Sequence, residues 1–162
     1  DFSAKPGVPN AFGVIGNERN AIEPGKRMLS SMTPTILLRD GEPALVVGTP
    51  GGSTIFTSVF QVILNHYDFG MTLQRAVDAL RFHHQLPEDR LLRHDPRELS
   101  TTLRRGLETM GYEVQANDWG DLGDIQALSV AGGKVEAASD VRGRGEARVF
   151  RLGPRVGAAT GQ

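Results

Sequence analysis

The chain contains 162 residues with a mass of 17.5 kDa, the size of one ordinary globular domain. Hydrophobic residues make up 39% and charged residues 23%, a balance that excludes disorder over most of the length. The net charge of −1, with no Lys/Arg cluster among aromatic residues, argues against a nucleic-acid partner. No apolar run approaches the roughly 20 residues that cross a bilayer. Because the chain has no cysteine, disulfides and cysteine nucleophiles are excluded.

The first half of the chain predicts a long loop followed by a hairpin. Residues 1–27 alternate turn formers with isolated apolar residues, which predicts an ordered loop of the kind that often serves as a lid or binding loop. Strands are predicted over 35–39 and 44–47, and the Asp40-Gly41 pair between them favours a β-hairpin. The second strand is apolar on both faces, which is typical of a central strand in a sheet covered on both sides.

The remaining elements predict an α+β domain. Helical spacing of apolar residues predicts three helices, over 54–67, 72–80 and 97–110. Three further strands are predicted, at 112–115, 125–130 and 134–138. Hairpins followed by helices and then by more strands indicate a layered domain over 1–150, with antiparallel strands and covering helices. The glycine-rich ending, 151–162, is expected to be a flexible tail.

The most informative junction runs from Val47 to Ser53, where an apolar strand passes through a glycine-rich turn into a helix. At a helix start, unpaired N–H groups and the positive end of the helix dipole suit an anion. Gly51 and Gly52 let a substrate approach the backbone, so they could bind a phosphate or stabilise an oxyanion. A Walker-type phosphate loop is excluded because no Gly-Lys-Ser/Thr follows. The alternative is that these glycines only turn the chain.

A second candidate site is the serine pair Ser30-Ser31, which follows two cations and precedes a strand. These hydroxyls could hydrogen-bond a substrate carboxylate, although a serine pair in a loop is more often a capping or turn element. No serine lies in a Gly-x-Ser-x-Gly elbow, so no nucleophile is recognised from the residues themselves.

Histidines and one carboxylate–guanidinium pair are interpreted as structural. His83 and His84 are adjacent on an extended segment, so they point to opposite faces and cannot easily share one metal ion. Asp140 and Arg142 are expected to form a local contact in a turn. The sequence therefore indicates no metal site and no cofactor.

Five motifs occur together and in one order along the chain. They are Asp1-Phe2-Ser3, Pro24-Gly25-Lys26-Arg27-x-Leu29-Ser30-Ser31-Met32-x-Pro34-Thr35, Gly48-x-Pro50-Gly51-Gly52-Ser53, Arg81-Phe82-His83-His84-Gln85 and Ser139-Asp140-x-Arg142. Together they closely resemble the small subunit of γ-glutamyltranspeptidases, over residues 1 to about 150. That family belongs to the N-terminal-nucleophile hydrolases. The resemblance therefore implies part of a four-layer αββα sandwich and a periplasmic or extracellular location.

The resemblance also implies a role for each matching residue. Asp1 matches the aspartate that pairs with the α-amino group of the γ-glutamyl substrate. Ser30 and Ser31 match the serines that hold its α-carboxylate. Gly51 and Gly52 match the oxyanion-hole glycines.

The loop beginning near Pro6 resembles the lid that covers the site in many bacterial members. Phe12 lies near its aromatic tip, where phenylalanine brings no hydroxyl for a hydrogen-bonding latch.

The family's threonine nucleophile and its carboxylate-binding arginine have no counterpart in the match. The Thr101-Thr102 pair lies in a predicted helix and lacks the histidine that follows in the family. We therefore expect the C-terminal portion of a small subunit, inactive alone, whose partners are the large subunit, the preceding part of the small subunit and γ-glutamyl substrates such as glutathione. The parent would pass the acyl group to water or an amino acid through a threonine acyl-enzyme. A related cephalosporin or glutaryl acylase and a non-catalytic assembly module are the alternatives.

Overall fold

A computed structural model describes residues 1–86 and 88–150 of the chain. The expected flexible tail, 151–162, lies outside the described residues. The strands are β1 (Thr35–Arg39), β2 (Glu42–Gly48), β3 (Phe82–His84), β4 (Leu91–His94), β5 (Glu113–Ala116), β6 (Gln126–Ala131) and β7 (Lys134–Ser139). The helices are α1 (Ile55–Tyr67), α2 (Leu73–Asp78) and α3 (Thr101–Thr109), with short 3₁₀ turns at Glu18–Asn20 and Gly52–Thr54. Mixed helices and sheets confirm the predicted α+β class.

The larger sheet has the strand order β1-β2-β6-β7, and all its neighbours are antiparallel. The predicted hairpin between β1 and β2 is confirmed. Asp40 and Gly41 both have positive φ, 53° and 85°, as the tight hairpin turn with the right-handed twist requires. β2 is central, as its apolar sequence predicts.

Helices α1 and α2 cover one face of this sheet and form the main core with it. The core includes Leu45, Val47, Val59, Val62, Leu73, Val77 and Ile125. The opposite face is apolar and exposed, and carries Ile36, Val46, Leu128 and Val135. The expectation that β2 is covered on both faces is therefore met on one face only within the described residues. One sheet and one helical layer are two layers of the predicted four.

A smaller sheet, β3-β4-β5, carries α3 on a crossover between β4 and β5. The pairing of β4 with β5 is parallel, an exception to the predicted antiparallel strands, which the other strand pairs follow. A parallel pair needs a crossover connection, and α3 provides it. The helix begins at Thr101, four residues later than the predicted start at residue 97. The Ser100 hydroxyl marks this start, because it accepts from the Leu103 N–H at 3.3 Å and so caps the helix.

Residues 1–34 contain no strand or helix apart from the 3₁₀ turn at Glu18–Asn20 and one bridge between Pro9 and Ile15. The prediction of a long loop over 1–27 is confirmed in that sense. None of the helices within the described residues is long and apolar enough to cross a membrane.

Candidate functional site

The loop 1–34 and the glycine-rich turn after β2 enclose a cleft of about 370 Å³. Its lining includes Asp1, Ser30, Ser31 and Gly52, four of the five residues that the sequence singled out. Gly51 precedes Gly52 in the same turn but is not part of the lining. We call Asp1, Ser30 and Ser31 the loop wall, and Gly51, Gly52 and Ser53 the glycine wall.

The loop wall consists of two chain segments that lie side by side. The backbone nitrogen of Asp1 donates to the Leu29 carbonyl oxygen at 2.6 Å, which places Asp1 beside the residue that precedes Ser30. The Ser30 Oγ accepts from the Met32 N–H at 3.1 Å. Ser30 therefore stabilises a turn, as the alternative interpretation of the serine pair predicts. This hydrogen bond leaves the hydroxyl proton of Ser30 as a donor to a ligand.

The glycine wall is the start of the helical segment that continues into α1. Gly51 has φ of +145° and Gly52 has φ of +58°, and both conformations are ones that side-chain-bearing residues rarely adopt. Among the described residues, none accepts a hydrogen bond from the N–H of Gly51 or Gly52. Two unpaired donors at a helix start can stabilise a negative oxygen.

Phe12 lies directly against the glycine wall. A Cβ built on Gly52 would come within 2.6 to 3.0 Å of three carbons of the Phe12 ring. The turn that carries Phe12 is organised by Asn10, whose Oδ1 accepts from the N–H groups of Phe12 at 2.9 Å and Val14 at 3.0 Å. Only glycine at position 52 allows the ring to lie this close.

Thr49 connects the glycine wall to the loop that precedes β6. Its hydroxyl donates to the Pro50 carbonyl oxygen at 2.7 Å and accepts from the Asp124 N–H at 2.8 Å. A Cβ on Gly123 would lie 2.6 Å from the same hydroxyl oxygen. The absence of a side chain at Gly123 therefore lets the two loops pack together.

A buried network of two arginines and two aspartates lies beneath that loop. Arg81 pairs with Asp140, and Arg142 pairs with both Asp95 and Asp140. All four side chains are at most 3% exposed, so the charges neutralise one another away from water. The predicted contact between Asp140 and Arg142 is confirmed at 2.8 Å, but it belongs to a larger assembly that joins distant parts of the chain.

Arg81 links this network to the loop under Thr49. Its Nε donates to the Leu122 carbonyl oxygen at 2.7 Å, while Nη1 donates to the Val77 carbonyl oxygen at 2.7 Å. Asp95 accepts from the Leu122 N–H at 3.0 Å. The backbone of residue 122 is thus held through both its polar groups.

His83 lies on β3 and is buried against α1, and both of its ring nitrogens have partners. Nδ1 lies 2.9 Å from the Thr57 hydroxyl, and Nε2 lies 2.9 Å from Gln85 Oε1. Burial lowers the pKa of His83; the Gln85 hydrogen bond opposes this, while the charges of Arg93 and His84 add to it. The described residues contain no group of three or more ligating side chains that could hold a metal ion.

Sequence reasoning missed Asn20, Thr49, Arg81 and Asp95 as residues of the site or its support. Each acts through a contact with a residue at least 9 positions away, so no local spacing could reveal it. The sequence carried only a weak indication of these contacts. Arg81 and Asp140 fell within recognised motifs, but nothing in the sequence indicated that they meet.

Comparisons with known proteins place this chain in a family. The family model described as Gamma-glutamyltranspeptidase matches residues 1–150. A glutathione hydrolase proenzyme from Pseudomonas aeruginosa is 56% identical over 93% of this chain and 27% of its own length. Its Escherichia coli counterpart is 45% identical over 88% of this chain and 24% of its own length. The chain thus spans about a quarter of the length of these relatives.

A solved structure shows the same fold. The gamma-glutamyltranspeptidase from Pseudomonas nitroreducens, in complex with L-DON, matches with a TM-score of 0.85 and 54% identity. The match covers 93% of this chain and 78% of that one. It confirms the predicted fold class, an α+β arrangement of the N-terminal-nucleophile hydrolase type.

Proposed function

Because the chain belongs to the gamma-glutamyltranspeptidase family, we propose that it forms one side of an active site that cleaves γ-glutamyl amides. The donor would be glutathione or a related compound. The acyl group would pass to water or to the amino group of an amino acid or peptide. This chain would bind the γ-glutamyl group and stabilise the oxyanion, while residues outside it would supply the nucleophile.

The observation that carries the proposal is the convergence of Asp1, Ser30, Ser31 and Gly52 on one cleft. A γ-glutamyl group carries an ammonium and a carboxylate at one end and the reacting carbonyl at the other. The Asp1 carboxylate suits the ammonium, and the hydroxyls of Ser30 and Ser31 suit the carboxylate. The loop wall therefore has the chemistry to bind the amino-acid end of the donor.

The glycine wall has the chemistry to act on the carbonyl end. When a hydroxyl attacks the γ-carbonyl carbon, the carbonyl oxygen becomes negative, and the N–H groups of Gly51 and Gly52 would donate to it. The C–N bond then breaks, the amine leaves with a proton, and an ester to the nucleophile forms. Water or an acceptor amine attacks this ester in the second half of the reaction.

We assign the nucleophilic threonine to the preceding part of the small subunit and the carboxylate-binding arginine to the large subunit. The exposed apolar face of β1-β2-β6-β7 supports this assignment, since Ile36 is 62% exposed and Val46 is 40% exposed on that face. An apolar sheet face of this kind is normally covered by another layer. The partner would be the remainder of the same protein, in the periplasm or outside the cell.

The decisive experiment measures release of 4-nitroaniline from γ-glutamyl-4-nitroanilide. The chain is assayed alone and then with the upstream portion supplied. We expect activity only in the second case, and loss of most of it when Asp1 is changed to Asn or when Ser30 and Ser31 are both changed to Ala. Activity of the chain alone would contradict the assignment of the nucleophile.

The donor lacking the α-amino group separates this function from that of an acylase. Glutaryl-4-nitroanilide keeps a carboxylate but offers no ammonium to Asp1. We expect it to be a much poorer donor than the γ-glutamyl compound. Equal rates for the two donors would favour a glutaryl acylase, whereas no activity with either would favour an assembly module.

A further inference from the structure

Asn20 is a buried polar residue that joins the two segments of the loop wall. It is 8% exposed in a loop whose other members are mostly exposed. Its Nδ2 donates to the Asp1 carbonyl oxygen at 2.8 Å, and its Oδ1 accepts from the Leu29 N–H at 3.0 Å. One side chain therefore binds the backbone of Asp1 and the backbone next to Ser30.

The two partners fix the orientation of the Asn20 amide. A carbonyl oxygen can only accept, so Nδ2 must face Asp1, and an N–H can only donate, so Oδ1 must face Leu29. The Asp1 backbone nitrogen also donates to the Leu29 carbonyl oxygen at 2.6 Å. Asp1 and Leu29 are therefore joined twice, once directly and once through the Asn20 amide, which bridges the Asp1 carbonyl oxygen and the Leu29 N–H and so sets their separation.

The backbone of Asn20 is held as firmly as its side chain. Its carbonyl oxygen accepts from the Ser3 N–H at 2.9 Å, and its own N–H donates to the Asn17 carbonyl oxygen at 3.1 Å. The 3₁₀ turn Glu18–Asn20, capped by the Asn17 side chain at 3.0 Å, presents the residue to the cleft wall. Because the Asn20 backbone is fixed, its short side chain can set the distance between Asp1 and Leu29.

From this geometry we infer that Asn20 is a positioning residue, which sets the spacing between the Asp1 carboxylate and the Ser30-Ser31 hydroxyls so that both ends of an α-amino acid are bound together. The inference rests on the proposed function, because it concerns the same cleft. Asn20 itself is not required to touch the substrate. Its effect should be confined to donors that carry both an α-ammonium and an α-carboxylate.

The test uses the complete protein, with the upstream portion present, and the variant Asn20→Asp. This change keeps the shape but places a carboxylate oxygen against the Asp1 carbonyl oxygen. The measured quantity is the ratio of kcat/KM for γ-glutamyl-4-nitroanilide to that for glutaryl-4-nitroanilide. Because both values are taken on one preparation, the ratio does not depend on how much of the variant is folded.

We expect Asn20→Asp to lower this ratio by about 10- to 100-fold, the effect of leaving a buried polar group without its partner. The loss should lie mainly in the KM for the γ-glutamyl donor. Asn20→Ser, which adds no charge and cannot span the gap, should lower the ratio as well. Asn17→Asp is the matched control, because a carboxylate can still accept from the Arg19 N–H, and its ratio should change less than about twofold.

Two results would overturn the inference, and they differ in what else they overturn. If Asp1→Asn lowers the ratio but both Asn20 variants keep it, Asn20 has no positioning role and the proposed function stands. If Asp1→Asn also leaves the ratio unchanged, and Ser30→Ala leaves kcat/KM for both donors unchanged, the proposed function of this cleft fails as well.

Discussion

The two walls of the cleft are held in place by different means. The loop wall depends on hydrogen bonds within residues 1–34, with Asn20 as its one buried side-chain link among the residues that the structure describes. The glycine wall follows a central strand, leads into α1, and connects through Thr49 to a loop held by four buried charges. Changes to the loop wall should therefore alter substrate binding with little loss of stability, whereas changes beneath the glycine wall should destabilise the fold.

The largest effect is expected from Arg81→Met, which leaves Arg142 as the one buried arginine between the two buried carboxylates, Asp95 and Asp140. Removing one member of a buried ion pair costs about 3–5 kcal/mol, because the remaining charge stays out of water. We expect the free energy of unfolding, measured by urea denaturation of the chain, to fall by that amount. Arg93→Met is the control, since the Arg93–Glu88 pair is partly exposed and should contribute at most about 1 kcal/mol. Equal losses would contradict the contrast between buried and surface pairs.

The next effect is expected from Thr49→Val. The substitution removes the hydroxyl that the Asp124 N–H donates to, and an unsatisfied buried donor costs about 1–3 kcal/mol. Thr49→Ser keeps the hydroxyl and should retain most of the stability. In the complete protein, Thr49→Val should also lower kcat more than it raises KM for the donor. If Thr49→Val raised KM and left kcat unchanged, Thr49 would support substrate binding, the role assigned to the loop wall, instead of the glycine wall.

Gly52→Ala tests how the loop and the glycine wall meet. The change strains a positive φ at a cost of about 1–2 kcal/mol, and the new methyl group also displaces the Phe12 ring. Gly41→Ala has similar backbone strain in open space and serves as the control. In a double-mutant cycle, Phe12→Ala should relieve only the steric part of the loss. Strict additivity of the two changes would argue against the contact between Phe12 and Gly52.

The smallest effect concerns pH. Because burial lowers the pKa of His83, the unfolded chain binds more protons than the folded chain from that lowered pKa up to about 6.5. The free energy of unfolding should therefore fall as the pH decreases through this window, by less than about 1.4 kcal/mol per pH unit for one proton. His83→Gln should flatten this part of the profile. An unchanged slope in the variant would assign the pH dependence to other groups.

Much of the fold could be predicted from local patterns. The Asp40-Gly41 turn, the apolar strand β2 and the spacing of apolar residues in α1 each specify a structure within a few residues. The short strands β3 and β4 could not be predicted, because three or four residues carry too little periodicity. The pairing of β4 with β5 depends on α3, which crosses over between them. The start of α3 was predicted too early, since Ser100 is the residue that caps it.

By itself, the sequence determined the α+β class, the family resemblance and the identity of the candidate site residues, because turn chemistry, apolar spacing and motif order are local properties. Only the tertiary structure decided which of those residues share a cleft and what holds them there. Asn20 reaches Asp1 across 19 positions, and Arg81 reaches Asp140 across 59. Such contacts form only when the chain has folded, since burial is what makes an amide or a charge require one particular partner.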